Sequence, residues 1–138
     1  MSRTRSRKDD HIRICMEEDT RASRNHFDDV HFTHCALPEV DLSEVDLSCR
    51  LFGRKLSAPL VVSAITGGSA LGGRINANIA RAAADLGLGM GVGSQRAAIE
   101  DPRTQKTFSV LADCDVPLRI ANLGLPQFIP QPGSKDVY

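Results

Sequence analysis

The sequence predicts an α/β protein in which parallel strands alternate with helices. Three observations carry that expectation. PLVVSAI (residues 59–65) is a continuous apolar run of the kind buried on both faces of a parallel sheet. RINANIARAAADLG (74–87) sets Ile75, Ile79, Ala82, Ala83 and Leu86 on one face at helical spacing. LRIANLG (118–124) returns to the strand pattern after a second helical stretch. Residues 59–124 therefore read strand, helix, strand, helix, strand, the order of right-handed βαβ units.

MSRTRSRKDDHIR opens the sequence with five basic groups and no aromatic residue, which composition alone reads as a solvated, mobile arm. Between Lys8 and Ala22, Ile12, Cys15 and Met16 stand at loosely helical spacing, as in a short surface helix. VDLS occurs at 40–43 and again at 45–48, an extended pattern too short to define a repeat architecture. CRLFGRKLSAP (49–59) puts Gly53 between two apolar-containing arms and suggests a small hairpin.

The first buried strand starts at Pro59. Gly67, Gly68, Gly72 and Gly73 are expected to form a flexible turn, the long helix follows, and Gly87 stops it. GLGMGVGSQR (87–96) reads as a short strand whose glycines permit close backbone approach. Asp101-Pro102, a capping residue before proline at the first helical position, announces a second helix through Phe108 and Leu111 to about Cys114. Pro117 closes that stretch, and LRIANLG supplies the third strand. LPQFIPQPGSKDVY (125–138), with Pro126, Pro130 and Pro132, reads as a long loop.

Composition narrows the function. The 138 residues are 41% hydrophobic, enough for the core of one domain. Lys+Arg and Asp+Glu both number 17, so no charge excess recommends nucleic acid or an anionic membrane as a partner. No apolar run approaches the ~20 residues that span a bilayer. Cys15, Cys35, Cys49 and Cys114 show no C-x-x-C spacing, and with no signal-like start the expectation is a cytoplasmic protein with free thiols.

The chemistry-bearing positions fall at strand ends. In parallel α/β architectures ligands bind where strands finish, and the three strands here finish in Ser63/Thr66/Gly67, Ser94/Gln95/Arg96 and Asn122/Gly124. A single such residue is ordinarily a turn former or helix cap; three in register point to a ligand. Hydroxyls and carboxamides suit the edge of a planar heterocycle, and Arg96 suits an anion, so the expected ligands are a nucleotide-like cofactor and a phosphorylated substrate. Neither G-x-G-x-x-G before a helix nor G-x-x-x-x-G-K-[ST] occurs. His26, His31, His34 and Cys35 match no zinc spacing and are read as part of a polar connection, so no metal ligand is expected in this chain. No Ser-His-Asp or Cys-His arrangement is assignable, and no catalytic residue is named.

Taken together, RKDDHIRIC (7–15), FDDVHFTHCALPEVDLSEVDLS (27–48), LSAPLVVSAITGG (56–68), GRINANIARAAADLG (73–87), GMGVGSQRAAIEDP (89–102) and ANLG (121–124) resemble the type 2, flavin-dependent isopentenyl-diphosphate isomerases. The likeness runs from Arg7 to Gly124. Asp10 stands where that family usually has Glu, and Ile65 where Met is common.

The resemblance implies a (β/α)8 TIM barrel holding FMN at the carboxyl ends of its strands and interconverting isopentenyl and dimethylallyl diphosphate in isoprenoid biosynthesis. It implies that Ala64, Ile65, Thr66, Ser94 and Asn122 meet the flavin. Ser94, Gln95 and Arg96 would face the substrate, and Arg7 with Lys8 would reach its diphosphate. NADPH would reduce the flavin, Mg2+ would assist diphosphate binding, and a homo-oligomer is expected for the full-length enzyme.

The basic arm then reads as a lid that closes over a diphosphate. On this reading residues 1–25 are the arm or lid, 26–58 a pre-barrel extension with a short hairpin, and 59–138 the first three βα units of a barrel left incomplete. A full barrel takes roughly 200 residues or more, so the expectation is an N-terminal fragment with little activity alone. The family's Gln and its Mg2+-binding Glu would lie past residue 138, lone Gln127 being a poor substitute. An open sheet edge should also make the fragment aggregation-prone. Two other readings stay open: an FMN-dependent oxidoreductase of the 2-hydroxy-acid oxidase type, and a non-catalytic remnant that only binds a partner or phosphate.

Overall fold

A computed structural model describes residues 3–129. The loop expected over 130–138 lies outside the described residues, as do the first two residues of the expected arm. Helix α1 (Arg3–Glu17) leads into an exposed connection with two 3-10 turns, His26–Asp29 and Leu42–Glu44. Strands β1 (Cys49–Leu51) and β2 (Arg54–Leu56) form an antiparallel hairpin. Its two-residue loop, Phe52 (φ 49°) and Gly53 (φ 74°), turns through the left-handed region, as the right-handed strand twist favours.

The α/β unit follows. Strands β3 (Val61–Val62), β4 (Gly89–Gly91) and β5 (Leu118–Ile120) make a parallel sheet in the order β3-β4-β5. The register places Val61 beside Gly89 and Gly89 beside Leu118. Helix α2 (Ala70–Asp85) crosses from β3 to β4. Helices α3 (Arg96–Glu100) and α4 (Lys106–Ser109), with 3-10 turns at Pro102–Thr104 and Val110–Asp113, cross from β4 to β5. Ala80 and Ala83 of α2 pack on Met90 and Val92, with Ala97, Phe108, Leu111 and Val116 completing one buried cluster. Small alanines on the helix let it lie close to the sheet, and Met90 fills the gap between them.

Four expectations are corrected. The start of the chain is helical from Arg3 rather than a free arm, because α1 packs against α2 and half-buries Lys8, Ile12 and Ile14. Helix α2 begins at Ala70, ahead of Gly72 and Gly73, which are helical rather than part of a flexible turn. Ser69 caps it, its hydroxyl accepting from the Gly72 N–H at 3.2 Å. The helix expected over 101–114 is instead broken into short pieces. Thr104 donates through its hydroxyl to the Asp101 carbonyl at 2.9 Å, and Thr107 to the Thr104 carbonyl at 2.7 Å, local bonds that compete with regular helix. Finally, the strand read over 87–96 stops at Gly91, and Arg96 opens α3 with an i,i+4 ion pair to Glu100.

Residues 18–47 are exposed, Phe27, Phe32, Leu37 and Leu42 among them. All four cysteines are free thiols. Among the described residues no helix is long and apolar enough to cross a membrane.

Candidate functional site

Hydrogen bonds running sideways between the loops gather the strand tips. Past the ends of the sheet ladder, the Gly93 N–H donates to the Thr66 carbonyl at 2.9 Å, the Val92 N–H to Ile120 at 3.1 Å, and the Gln95 N–H to Asn122 at 2.9 Å. The tips of β3, β4 and β5 are thus joined as one rim. The closeness demands glycine: a Cβ on Gly93 would lie 2.6 Å from the Thr66 carbonyl oxygen and 2.8 Å from its carbon and nitrogen.

The Thr66–Gly68 turn is also held from behind. Gly67 (φ 143°) and Gly68 (φ 85°) adopt backbone that side chains disfavour, and a Cβ on Gly67 would strike the Phe108 ring at 2.1 Å. The Gly68 N–H donates to the Thr107 hydroxyl at 2.7 Å. Buried Asn76 donates to the Thr66 carbonyl at 3.1 Å and to the Thr107 carbonyl at 2.9 Å.

Above this rim lies a cavity of about 560 Å3, of a size to hold a cofactor or small molecule. Ala64, Ile65 and Thr66 from the β3 end, Ser94 and Arg96 from the β4 end, and Asn122 from the β5 end all line it. Helix α1 closes one side with Arg7, Lys8, His11, Ile12, Cys15 and Met16. Eight of the nine sequence-predicted site residues therefore line one cavity. Gln95 does not line the cavity; it precedes α3, with its backbone bonded to Asn122.

The electrostatics favour an anion. Arg7, Lys8 and Arg96 face the cavity with His11, and no carboxylate is among the lining residues. Burial holds the Lys8 ammonium below its ordinary value, and the neighbouring Arg7 charge pushes it the same way. Lys8 also sits 5.8 Å from the centre of the Phe108 ring, which offers its face to the cation. An anionic ligand would relieve both penalties on Lys8. Ile65, exposed at the rim, and Ile12, Met16 and Ile75 give the same cavity an apolar side.

Sequence reasoning missed Asn76 and Thr107, which touch the rim only through its backbone. An asparagine on the buried stripe of an otherwise alanine-rich helix was the available signal. It also missed His11, Ile12, Cys15 and Met16 as lining residues, although they share one helical face with Lys8. Gln127 is buried, and its side-chain oxygen accepts from the Gly124 N–H at 2.7 Å, tying down its own loop. Among the described residues no group of three or more His, Cys, Asp or Glu side chains is arranged to hold a metal ion.

Comparison with known proteins matches these features to one group. A family profile described as FMN-dependent dehydrogenase matches residues 12–111. A curated isopentenyl-diphosphate delta-isomerase of Methanoregula boonei is 52% identical over 126 residues, covering 90% of this chain and 35% of the relative. Enzymes of the same name from Thermoplasma acidophilum and Ignicoccus hospitalis are each 46% identical, covering 91% and 97% of this chain and 36% and 38% of the relatives. The chain thus spans a little over a third of the length of the curated relatives it matches. It belongs to the FMN-dependent dehydrogenase family, and the relatives it resembles are isopentenyl-diphosphate delta-isomerases.

Proposed function

We propose that this chain carries the FMN-facing rim and the diphosphate-binding helix of an isopentenyl-diphosphate delta-isomerase, which interconverts isopentenyl and dimethylallyl diphosphate. One observation carries the reading: polar tips from three parallel strands and the cations of α1 line a single cavity free of carboxylates. Its residues fit FMN. An apolar side chain at Ile65 and hydrogen-bonding groups at Thr66, Ser94 and Asn122 suit a ring with polar edges.

In this reading Ala64, Ile65, Thr66, Ser94 and Asn122 orient the flavin. Arg7, Lys8 and Arg96 hold the diphosphate with Ser94, and Gln95 sits between the two lining neighbours. Reduced FMN, when bound, supplies the group that handles the proton of the allylic shift. The chain's own residues position the substrate and exclude water, α1 acting as the cover that brings Arg7 and Lys8 to the anion. The same reading takes residues 1–25 as that cover, 26–58 as an extension, and the three parallel strands as the first part of a (β/α)8 barrel. It brings NADPH as reductant, Mg2+ as counter-ion of the diphosphate, and a cytoplasmic homo-oligomer.

Titrating the purified chain with FMN tests the reading through flavin absorbance and fluorescence. Saturable binding that Asn122→Ala and Thr66→Val weaken is expected; wild-type chain that leaves the flavin spectrum unchanged refutes it. The family profile's description as a dehydrogenase favours one rival, oxidation of a 2-hydroxy acid. Flavin reduction by such an acid, with no spectral response to isopentenyl diphosphate, would hand the site to that rival.

A further inference from the structure

We propose that Asn76 is a positioning residue for the FMN-facing turn, its carboxamide fixing the Thr66 peptide from the side away from the cavity. The proposal rests on the flavin reading of the cavity. Asn76 is only 2% exposed and lies on the buried stripe of α2 with Gly72, Ala80 and Ala83. Its side-chain nitrogen donates to the Thr66 carbonyl at 3.1 Å and to the Thr107 carbonyl at 2.9 Å. Both partners are acceptors, so the nitrogen end of the amide must face them, and both its hydrogens are committed.

The Thr66 carbonyl also accepts from the Gly93 N–H at 2.9 Å. With two donors on one oxygen, the peptide plane between Thr66 and Gly67 has no freedom to rotate toward the cavity. Thr107 completes the clamp, its hydroxyl accepting from the Gly68 N–H at 2.7 Å. Asn76 does not line the cavity, whereas Ala64, Ile65 and Thr66 do. Its influence on a ligand therefore passes through the backbone it holds.

Helix-making does not explain the residue. Asparagine is a poorer helix former than alanine, and a buried carboxamide is unfavourable unless its hydrogen bonds are made. Alanine at 76 would suit the helix; the amide is required by the Thr66 carbonyl of the turn and by the carbonyl of Thr107, the residue that holds the turn from α4.

Asn76→Asp replaces both donors with a carboxylate facing two carbonyl oxygens. Two measurements on the 138-residue chain decide the matter: amide hydrogen exchange at Gly68 and Gly93, and FMN affinity. At least tenfold faster exchange at both amides is expected, with the β4–β5 ladder amides unchanged, together with at least tenfold weaker FMN binding and an altered bound-flavin spectrum. Exchange within twofold of wild type, or unchanged FMN affinity and spectrum, overturns the proposal, as does equal loss of protection throughout the sheet. If wild-type chain binds no FMN, the flavin reading falls, and exchange at Gly68 and Gly93 still decides whether Asn76 holds the turn. If N76D yields no folded protein, Asn76→Ala removes the donors without adding charge, and the same criteria apply to it.

Discussion

Gly93→Ala isolates the contact that joins the first two strand tips. Gly93 is not in left-handed backbone, so an alanine there meets no φ penalty and its cost is steric. The new methyl would lie 2.6 Å from the Thr66 oxygen, which is backbone and cannot rotate aside. Ordinary contact requires the two loops to part by about 0.8 Å. That movement stretches the 2.9 Å Gly93–Thr66 hydrogen bond beyond normal length. Overpacking of this kind costs about 1–3 kcal/mol, and the lost bond about 1 kcal/mol. Lower entropy of the unfolded alanine chain returns about 0.5 kcal/mol.

The expected net loss is therefore about 1.5–3.5 kcal/mol, read as a lower midpoint in urea unfolding with unchanged slope. FMN affinity should fall with it, because Thr66 and Ser94 lie on the two loops that must separate. Gly53→Ala is the control. It meets left-handed strain (φ 74°) with nothing within 4 Å of its Cβ, so it should cost about 1 kcal/mol and leave flavin binding alone. A G93A protein within 0.5 kcal/mol of wild type and equal in FMN binding would refute the idea that the tips are held at fixed separation.

Three further outcomes are expected. Ser69→Ala should cost about 1 kcal/mol through loss of the α2 cap, with Ser69→Asp recovering much of it, both measurable by urea unfolding. Phe108→Ala should cost about 3–5 kcal/mol, since the ring is buried beneath Gly67, and should loosen α1 as judged by faster proteolysis between Arg3 and Glu17. Lys8 has its folded pKa below 10.5, so between those two values the unfolded chain binds more protons and stability rises with pH, fully gained only above 10.5. Lys8→Met should flatten that alkaline rise, and inorganic pyrophosphate should move the Lys8 titration back upward in side-chain NMR; a pyrophosphate-independent titration would disprove anion contact.

What the residues announced and what they hid divide along physical lines. The order of strands and helices was legible from apolar runs and periodicity, and the strand-tip residues because polar groups interrupt that pattern at Thr66, Ser94 and Asn122. Burial was read less well. Strand β3 is two half-buried residues with Leu60 and Ile65 exposed, not a run buried over 59–65. Helix α2 buries Gly72, Asn76, Ala80 and Ala83, sharing only Ala83 with the expected face, while Ala82 and Leu86 are exposed. Small residues and a bonded carboxamide let the helix lie closer to the sheet than its larger side chains would. Helix α1 was obscured by its charge: Arg7, Lys8, Asp9 and Asp10 look like a solvated arm until α1 meets α2 and Lys8, Ile12 and Ile14 become half-buried. Gly72 and Gly73 look like a turn because glycine weakens helix, yet a Cβ at 72 would lie 2.9 Å from the Thr66 hydroxyl oxygen, so the helix needs glycine there for close approach. The breaks after Asp101 depend on hydroxyls of Thr104 and Thr107 choosing backbone partners, a choice made by three-dimensional neighbours. Asn76 was hidden for the same reason, since its partners are 10 and 31 residues away along the chain.

The sideways bonds at the strand tips link 66 to 93, 92 to 120 and 95 to 122. They hold the three tips level with one another, like treads on a staircase. Lengthening a connection at the opposite, amino-terminal side would leave those treads level. A single residue inserted between Met90 and Ser94 would instead put the middle tread out of step with both neighbours, so tolerance to insertion should differ sharply between the two ends of the same strand.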